Sequence, residues 1–281
     1  MLNTRSIQGL FALLLLLIGP WAVAQAQFDH SHKAWDTLLK KHVLLLQGGK
    51  ASQVRYAGKR ADEAALKAYT ESLSKVPESE FKAWNKAQQM AFLINVYNAY
   101  TVVKILQKHP NLKSIRDFGN VIGNPWKDKF FTLFGRETFL DDIEHNTLRK
   151  PGVYDEARVH FAVNCAAIGC PMLREEAFVA ERLDAQLEEQ ARRFLSDRSR
   201  NRFNAAQGAL EVSKIFDWFK IDWQSGYKGI GANAQAIASR EQYFARYADL
   251  LSDQPDERKL VAAGSAAIRF LDYDWAINDV R

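Results

Sequence analysis

From Lys86 to Lys108 the chain is apolar on nearly every side. Met90, Phe92, Leu93, Ile94, Val96, Val102, Val103, Ile105 and Leu106 fall on all faces of a 3.6-residue period, and Pro110 ends the run. A helix without a polar stripe has to be enclosed by the rest of the fold, so this segment predicts the central buried helix. Other segments are one-sided. Residues 32–46 carry Leu38, Leu39, His42, Val43 and Leu46 at mixed helical spacing and predict an opening helix, followed by an extended piece over 53–56. Residues 62–74 predict a helix with Asp62 as N-cap, and 180–194 a surface helix burying Leu183, Leu187, Ala191 and Phe194. Two β-rich runs around Gly135–Arg136, and two more around Gln207–Gly208, predict hairpins over 129–140 and 202–212. After the first of these, Asp141 and Glu144 have the spacing of a capping box and predict a helix start. Ser213 is placed to cap a short aromatic helix through Trp218, further helices are expected near 233–247 and 256–263, and residues 268–278 read as extended. The pattern is α+β: a predominantly helical single domain with one or two small antiparallel β-hairpins or sheets, lacking the strand–helix alternation of a doubly wound fold.

The first 26 residues differ from the rest. Arg5 is their only charge, and Phe11–Ile18 is an unbroken apolar stretch, too short for a membrane span and of the length of a signal-peptide core. Small-x-small patterns at 22–24 and 24–26 put cleavage near residue 24 or 26, which leaves 27–281 as the exported domain, periplasmic or secreted, with no membrane span after signal removal. The formal charge of +5 falls to +4 without Arg5 and is spread evenly among 33 acidic residues, so nucleic acid is not an expected partner. No glycine-rich phosphate loop is present and no cofactor is implied; the ligand class stays at small molecule, peptide or glycan, and the oligomeric state stays open.

Both cysteines lie in one apolar stretch, Arg158–Leu173, together with His160 and Asn164. Polar groups among side chains that favour burial need a partner or serve a task. Three readings of Cys165 and Cys170 stand side by side: a thiolate nucleophile activated by an imidazole, a small-loop disulfide suited to an exported chain, and a redox pair, which the Cys-x-x-Cys spacing of thioredoxin-like sites does not match. His160 and His145 are the histidines in apolar context and are both candidates for the base. A helix from Asp155 through Asn164, or a bend, lets His160 approach Cys165; a strand points them to opposite sides. Asn95 and Asn98 place two amides on the apolar central helix, either to hold an oxyanion or orient a histidine, or as a buried packing network. Glu144 orients His145 or a substrate amine if it is not simply a cap, and Arg149 binds a carboxylate if it is not a surface ion pair. His145, His160, Cys165 and Cys170 are suitable zinc ligands by type, but their spacing fits no compact finger and no His-Glu-x-x-His occurs, so no metal is expected. His30-Ser31-His32 reads as a solvated start of the exported domain. Trp126, Trp218, Trp223 and Trp275 are placed either in the core or along a groove for a sugar or peptide.

Five separated motifs carry a family likeness: residues 91–99 (Ala-Phe-Leu-Ile-Asn-Val-Tyr-Asn-Ala), 140–145 (Leu-Asp-Asp-Ile-Glu-His) with Leu148-Arg149, 160–165 (His-Phe-Ala-Val-Asn-Cys) with Cys170-Pro171, 212–219 (Val-Ser-Lys-Ile-Phe-Asp-Trp-Phe) and 272–278 (Asp-Tyr-Asp-Trp-Ala-Ile-Asn). In order and spacing they resemble the family catalogued as domain of unknown function 547. The resemblance implies a domain and a set of positions rather than a reaction; Leu93 departs from it, where the family has a tryptophan. On the residues themselves, the leading expectation is an exported thiol-dependent hydrolase or acyl transferase acting on an amide, ester or thioester. Cys165 is then the nucleophile, His160 or His145 the base, and Asn95 or Asn98 the orienter. The alternative is a non-catalytic envelope domain, stabilised by a Cys165–Cys170 disulfide, that binds a peptide, glycan or protein partner.

Overall fold

The apolar central helix forms as its sequence demands. In the computed structural model, which describes residues 27–118, 124–231 and 235–280, α5 spans Lys86–Leu106 and Phe92, Leu93, Ile94 and Val96 on it have no exposed surface. Its start is fixed by a capping box in which Asn85 accepts from Gln88 N–H while the Gln88 side chain accepts from Asn85 N–H. The expected signal peptide lies outside the described residues, and no helix among them is long and apolar enough to cross a membrane.

Around α5 pack α1 (Lys33–His42), α2 (Tyr56–Ala61), α3 (Glu63–Ser74) and α4 (Glu78–Ala83), which share a core with it. The opening helix is shorter than the pattern implied. Val43–Leu46 leaves it as β1 and pairs antiparallel with β2 (Ala51–Val54), because Gln47, Gly48 and Gly49 all adopt positive φ and reverse the chain. Asp62 precedes α3 but caps nothing; its carboxylate takes Lys41 and His42 instead. His32 is buried, with Nδ1 2.7 Å from the Tyr69 hydroxyl, so of the His30-Ser31-His32 stretch expected to be solvated Ser31 is exposed, His30 half-buried and His32 enclosed. The hairpin over 129–140 appears as β3 (Phe131–Leu133) and β4 (Arg136–Thr138) around Phe134 and Gly135.

A second core gathers Phe161, Phe194, Phe216, Trp223, Tyr243 and Phe244. It is built from α6 (Leu183–Leu195), β5 (Arg202–Asn204), β6 (Ala209–Val212), α7 (Ile215–Trp218), α8 (Arg240–Ala245), α9 (Ala248–Leu251) and α10 (Pro255–Ala262). The helix expected from 233 is shorter: Ser239 caps α8 by accepting from Gln242 N–H, and the chain breaks again before α9; residues 232–234 lie outside the described ones. β7 (Ala267–Phe270) joins β6 in parallel, with Ala209 opposite Ala267, a long-range pairing that local periodicity cannot encode. The fold is α+β and mostly helical, with small sheets of two or three strands.

The segment singled out for its chemistry is the seam between the two cores. Val159, Ala162, Val163 and Ala166 face the first, Ala157 and Phe161 the second.

Candidate functional site

Three stretches converge on this seam. The first follows β4. Residues Asp142–Leu148 wind as a π-helix rather than the expected α-helical start, with Arg149 N–H donating to the Glu144 carbonyl five residues back at 2.9 Å. Asp141 makes no side-chain cap and accepts from the Asn124 amide at 3.2 Å, while Glu144 turns inward and is buried. The capping box is therefore absent. On the wide turn, His145 and Arg149 share a side, and an Arg149 Nη lies 2.6 Å from His145 Nδ1.

The second stretch is a 3-10 helix, Ala157–Phe161, capped by the Glu156 side chain accepting from Arg158 N–H; Asp155 does not cap it but takes Gly152 N–H. The helix gives way to a bend. Asn164 shapes it with one side chain: its amide donates to the Pro171 carbonyl at 2.7 Å, and its oxygen accepts from Ala166 N–H at 3.0 Å, where Ala166 has a φ of 62°. Asn98 of α5 anchors the same bend, donating to the Ala162 carbonyl and accepting from Asn164 N–H. Cys165 and Cys170 emerge on either side of the resulting loop.

The third stretch is the chain end, which runs along the loop: Ile168 N–H donates to the Ala276 carbonyl, Gly169 N–H to Asp274, and Asn278 N–H to Ala166. A Cβ on Gly169 would sit 2.9 Å from the Asp274 nitrogen, so the close approach requires glycine. This contact lays Tyr273 over Cys165, with its hydroxyl 3.1 Å from the sulfur.

Together these stretches enclose a hollow of about 210 Å³ lined by Tyr97, Glu144, His145, His160, Cys165 and Cys170, with Trp126, Trp218, Phe219, Tyr273 and Trp275 as an aromatic wall. Trp218 is 44% exposed at its rim and packs against Trp275 and Tyr273. Trp223 belongs to the core. A volume this small takes the reacting end of a ligand rather than a whole drug-sized molecule. His145 also borders a second hollow of about 490 Å³ shared with Arg149, Asp155 and Tyr227.

The electrostatics are ordered by Asp222, a residue that sequence reasoning missed. Its carboxylate, 2% exposed as a residue, accepts from His160 Nε2 at 2.7 Å and from Arg149 Nε at 2.6 Å and Nη at 3.2 Å. Burial alone would raise this carboxyl, but the His160 and Arg149 hydrogen bonds outweigh it and hold it below the ordinary aspartate value. Burial lowers His160, although Asp222 pulls it back. Burial and then the Arg149 guanidinium lower His145. Both rings are therefore neutral at pH 7, and their partners fix their tautomers. His160 must carry its proton on Nε2 to bond a carboxylate, which leaves the lone pair on Nδ1. Arg149 can only donate, so His145 Nδ1 is the acceptor and its proton is on Nε2. Phe219 stacks on the His160 ring at 4.1 Å and fixes its plane. Burial raises Glu144, against the pull of His160 and Arg149, and the Tyr97 hydroxyl lies beside it.

The two cysteines are free thiols with their sulfurs 2.8 Å apart. The hydrogen bond between the two sulfurs outweighs burial and, with the Tyr273 hydroxyl and Ala167 N–H, lowers Cys165; burial raises Cys170. Of the nine residues expected at the site, Cys165, Cys170, His145, His160 and Glu144 meet at the hollow, Arg149 stands behind His145, and Asn98 and Asn164 hold the loop from beneath. Asn95 is elsewhere, its amide group closed on the Phe178 backbone. Among the described residues, no group of three or more His, Cys, Asp or Glu side chains is arranged to hold a metal ion.

No curated protein and no solved structure matches the chain. Residues 81–195 match the model of the family described as "Protein of unknown function, DUF547", and this matched segment contains Glu144, His145, His160, Cys165 and Cys170.

Proposed function

We propose that the chain is a thiol-dependent hydrolase or acyl transferase acting on an amide, ester or thioester, with Cys165 as nucleophile. The observation that carries this reading is that a thiol held toward its anionic form opens on the same hollow as an imidazole whose far nitrogen is tied to a buried carboxylate. His160 is the base, through Nδ1, and Asp222 keeps it in the required tautomer. His145 presents Nε2–H as a neutral donor for the developing oxyanion. In the first half-reaction His160 Nδ1 takes the Cys165 thiol proton as the sulfur bonds to the carbonyl carbon, that proton then passes to the leaving nitrogen, oxygen or sulfur, and the C–X bond breaks. In the second, His160 takes a proton from water or an acceptor, which attacks the thioester and releases Cys165.

The small hollow suits the acyl end of the substrate, while the Trp126–Trp275–Trp218 rim supports the part that remains outside. The charge-poor, leucine-rich first residues support export, so we place this activity in the periplasm or outside the cell. The alternative, a non-catalytic disulfide-stabilised domain, is less favoured because both cysteines border the hollow rather than packing away from it.

The test is incubation of the reduced protein with p-nitrophenyl esters and simple thioesters, read by intact mass and peptide mapping. An acyl adduct on Cys165 that is absent from Cys165→Ala supports the reading. Acylation of Cys165→Ala at the wild-type rate, or no adduct on the wild type, overturns it.

A further inference from the structure

Cys170 has no step in the acyl-transfer scheme, yet its sulfur touches the nucleophile. The contact is imposed by the backbone rather than by a bond. Ala166 at positive φ reverses the chain, the Asn164 side chain ties both ends of the loop, and the Arg200 guanidinium reaches the carbonyls of Cys170 and Lys50. Within this clamp the sulfurs differ. Cys165 is partly open to the hollow and carries the lowered thiol; Cys170 is buried, at 6% exposure, and its thiol is raised. A small electrophile entering the hollow meets one reactive sulfur, with a second held at 2.8 Å behind it.

We infer that Cys165 is a site of reversible oxidation by hydroperoxides and that Cys170 is its resolving thiol, closing an intrachain disulfide. In the first step the Cys165 thiolate attacks the peroxide, the O–O bond breaks, water or an alcohol leaves after protonation, and a sulfenic acid remains. In the second, the Cys170 sulfur attacks the Cys165 sulfur, its proton goes to the departing hydroxyl, the S–O bond breaks and water leaves. The two sulfurs supply two electrons and the peroxide accepts them. A dithiol reductant reverses the modification by exchange, forming its own disulfide and restoring both thiols. The buried partner protects Cys165 from further oxidation to the sulfinic acid, which thiols do not reverse. If Cys165 is the acyl-transfer nucleophile, the disulfide also switches that activity off, a consequence that rests on the proposed function.

The experiment treats the reduced full-length chain with hydrogen peroxide and follows intact mass and peptide maps, without any acyl substrate. Wild type is expected to lose two hydrogen atoms, with Cys165 and Cys170 joined in one chain, and to regain them with dithiothreitol. Cys170→Ser should instead gain oxygen atoms at Cys165 that dithiothreitol does not fully remove. Cys165→Ser should leave Cys170 reduced, oxidising at least about tenfold more slowly than wild type. Circular dichroism checks folding, and Cys170→Ala replaces Cys170→Ser should the latter not fold. Oxygen gain on wild type, a disulfide between chains, or oxidation of Cys165→Ser at the wild-type rate overturns the inference. Because these readouts need no turnover, they stand apart from a failure to acylate.

Discussion

Replacing Asp222 by asparagine separates the two jobs of one carboxylate. In the native site its two oxygens accept three charge-assisted hydrogen bonds, one from His160 and two from Arg149. An asparagine of the same shape offers one acceptor oxygen and one NH2 group. If the oxygen stays with Arg149, the NH2 faces His160 Nε2, which must then become the acceptor. The ring proton moves to Nδ1 and the lone pair that served as base no longer faces the substrate. A wrong tautomer with intact geometry costs about 10³- to 10⁴-fold in acylation rate, as in the triad of an unrelated protease. If the oxygen turns to His160 instead, the guanidinium loses its counter-charge in a site where Arg149 is only partly solvated. Loss of one partner from such a pair costs about 3 kcal/mol, toward the lower end for buried pairs because Arg149 keeps some contact with water. At about 2–4 °C per kcal/mol for a domain of this size, melting should fall by roughly 6–12 °C. The assay is the second-order rate of Cys165 acylation by an active ester at pH 7, paired with a thermal melt. The native carboxyl titrates below its unfolded value, so its stabilising contribution is present at neutral pH and disappears as pH falls through the lowered native value. The stability gap between wild type and Asp222→Asn should therefore narrow in acid. A folded Asp222→Asn protein that acylates within a factor of about three of wild type, against the 10³ expected for a tautomer switch, refutes the His160–Asp222 assignment.

Other perturbations test the scaffold around the site. Asn98→Ala leaves the Ala162 carbonyl and Asn164 N–H without their buried partner and should destabilise the fold by about 2–4 kcal/mol in chemical denaturation, while slowing acylation through a loosened Cys165 loop. Gly169→Ala drives a methyl into the Asp274 backbone and should cost about 1–3 kcal/mol; because Tyr273 is displaced with it, the pH at which Cys165 becomes alkylated by iodoacetamide should rise. Lys59 is buried over the Trp35 ring with no hydrogen-bond partner for its ammonium among the described residues, and burial lowers it to about 7. The unfolded chain then binds the extra proton between about pH 7 and 10.5, so wild-type stability rises through that window, and Lys59→Met should be more stable at pH 6.5 with an advantage that shrinks by pH 10. Melts showing the same difference at both pH values would contradict the burial of an uncompensated ammonium.

What the chain reveals in one dimension follows from the range of the forces involved. α5, the two hairpins and α6 depend on local periodicity and turn residues, and each appears close to where the pattern placed it. The errors lie where a distant contact decides. Asp141 and Glu144 have capping-box spacing, but Glu144 is drawn inward beside His160 and Tyr97, and the turn widens into a π-helix to place His145 and Arg149 on one side. Asp222 sits between Ile221 and Trp223 with no spacing to mark it; only the fold brings it within 2.7 Å of a histidine 62 residues earlier. A signal was nonetheless present. His160 is a polar ring inside an apolar stretch, and a buried imidazole requires a partner from elsewhere in the chain. Asking what meets it would have posed the question of that missing carboxylate, and among the acids flanked by large apolar residues Asp222 is one that answers it. The same reasoning explains why Asn95 and Asn98, alike in sequence and one turn apart on α5, have different places: each amide pairs with whichever irregular backbone crosses its own face of the helix, Phe178 for one and the cysteine loop for the other.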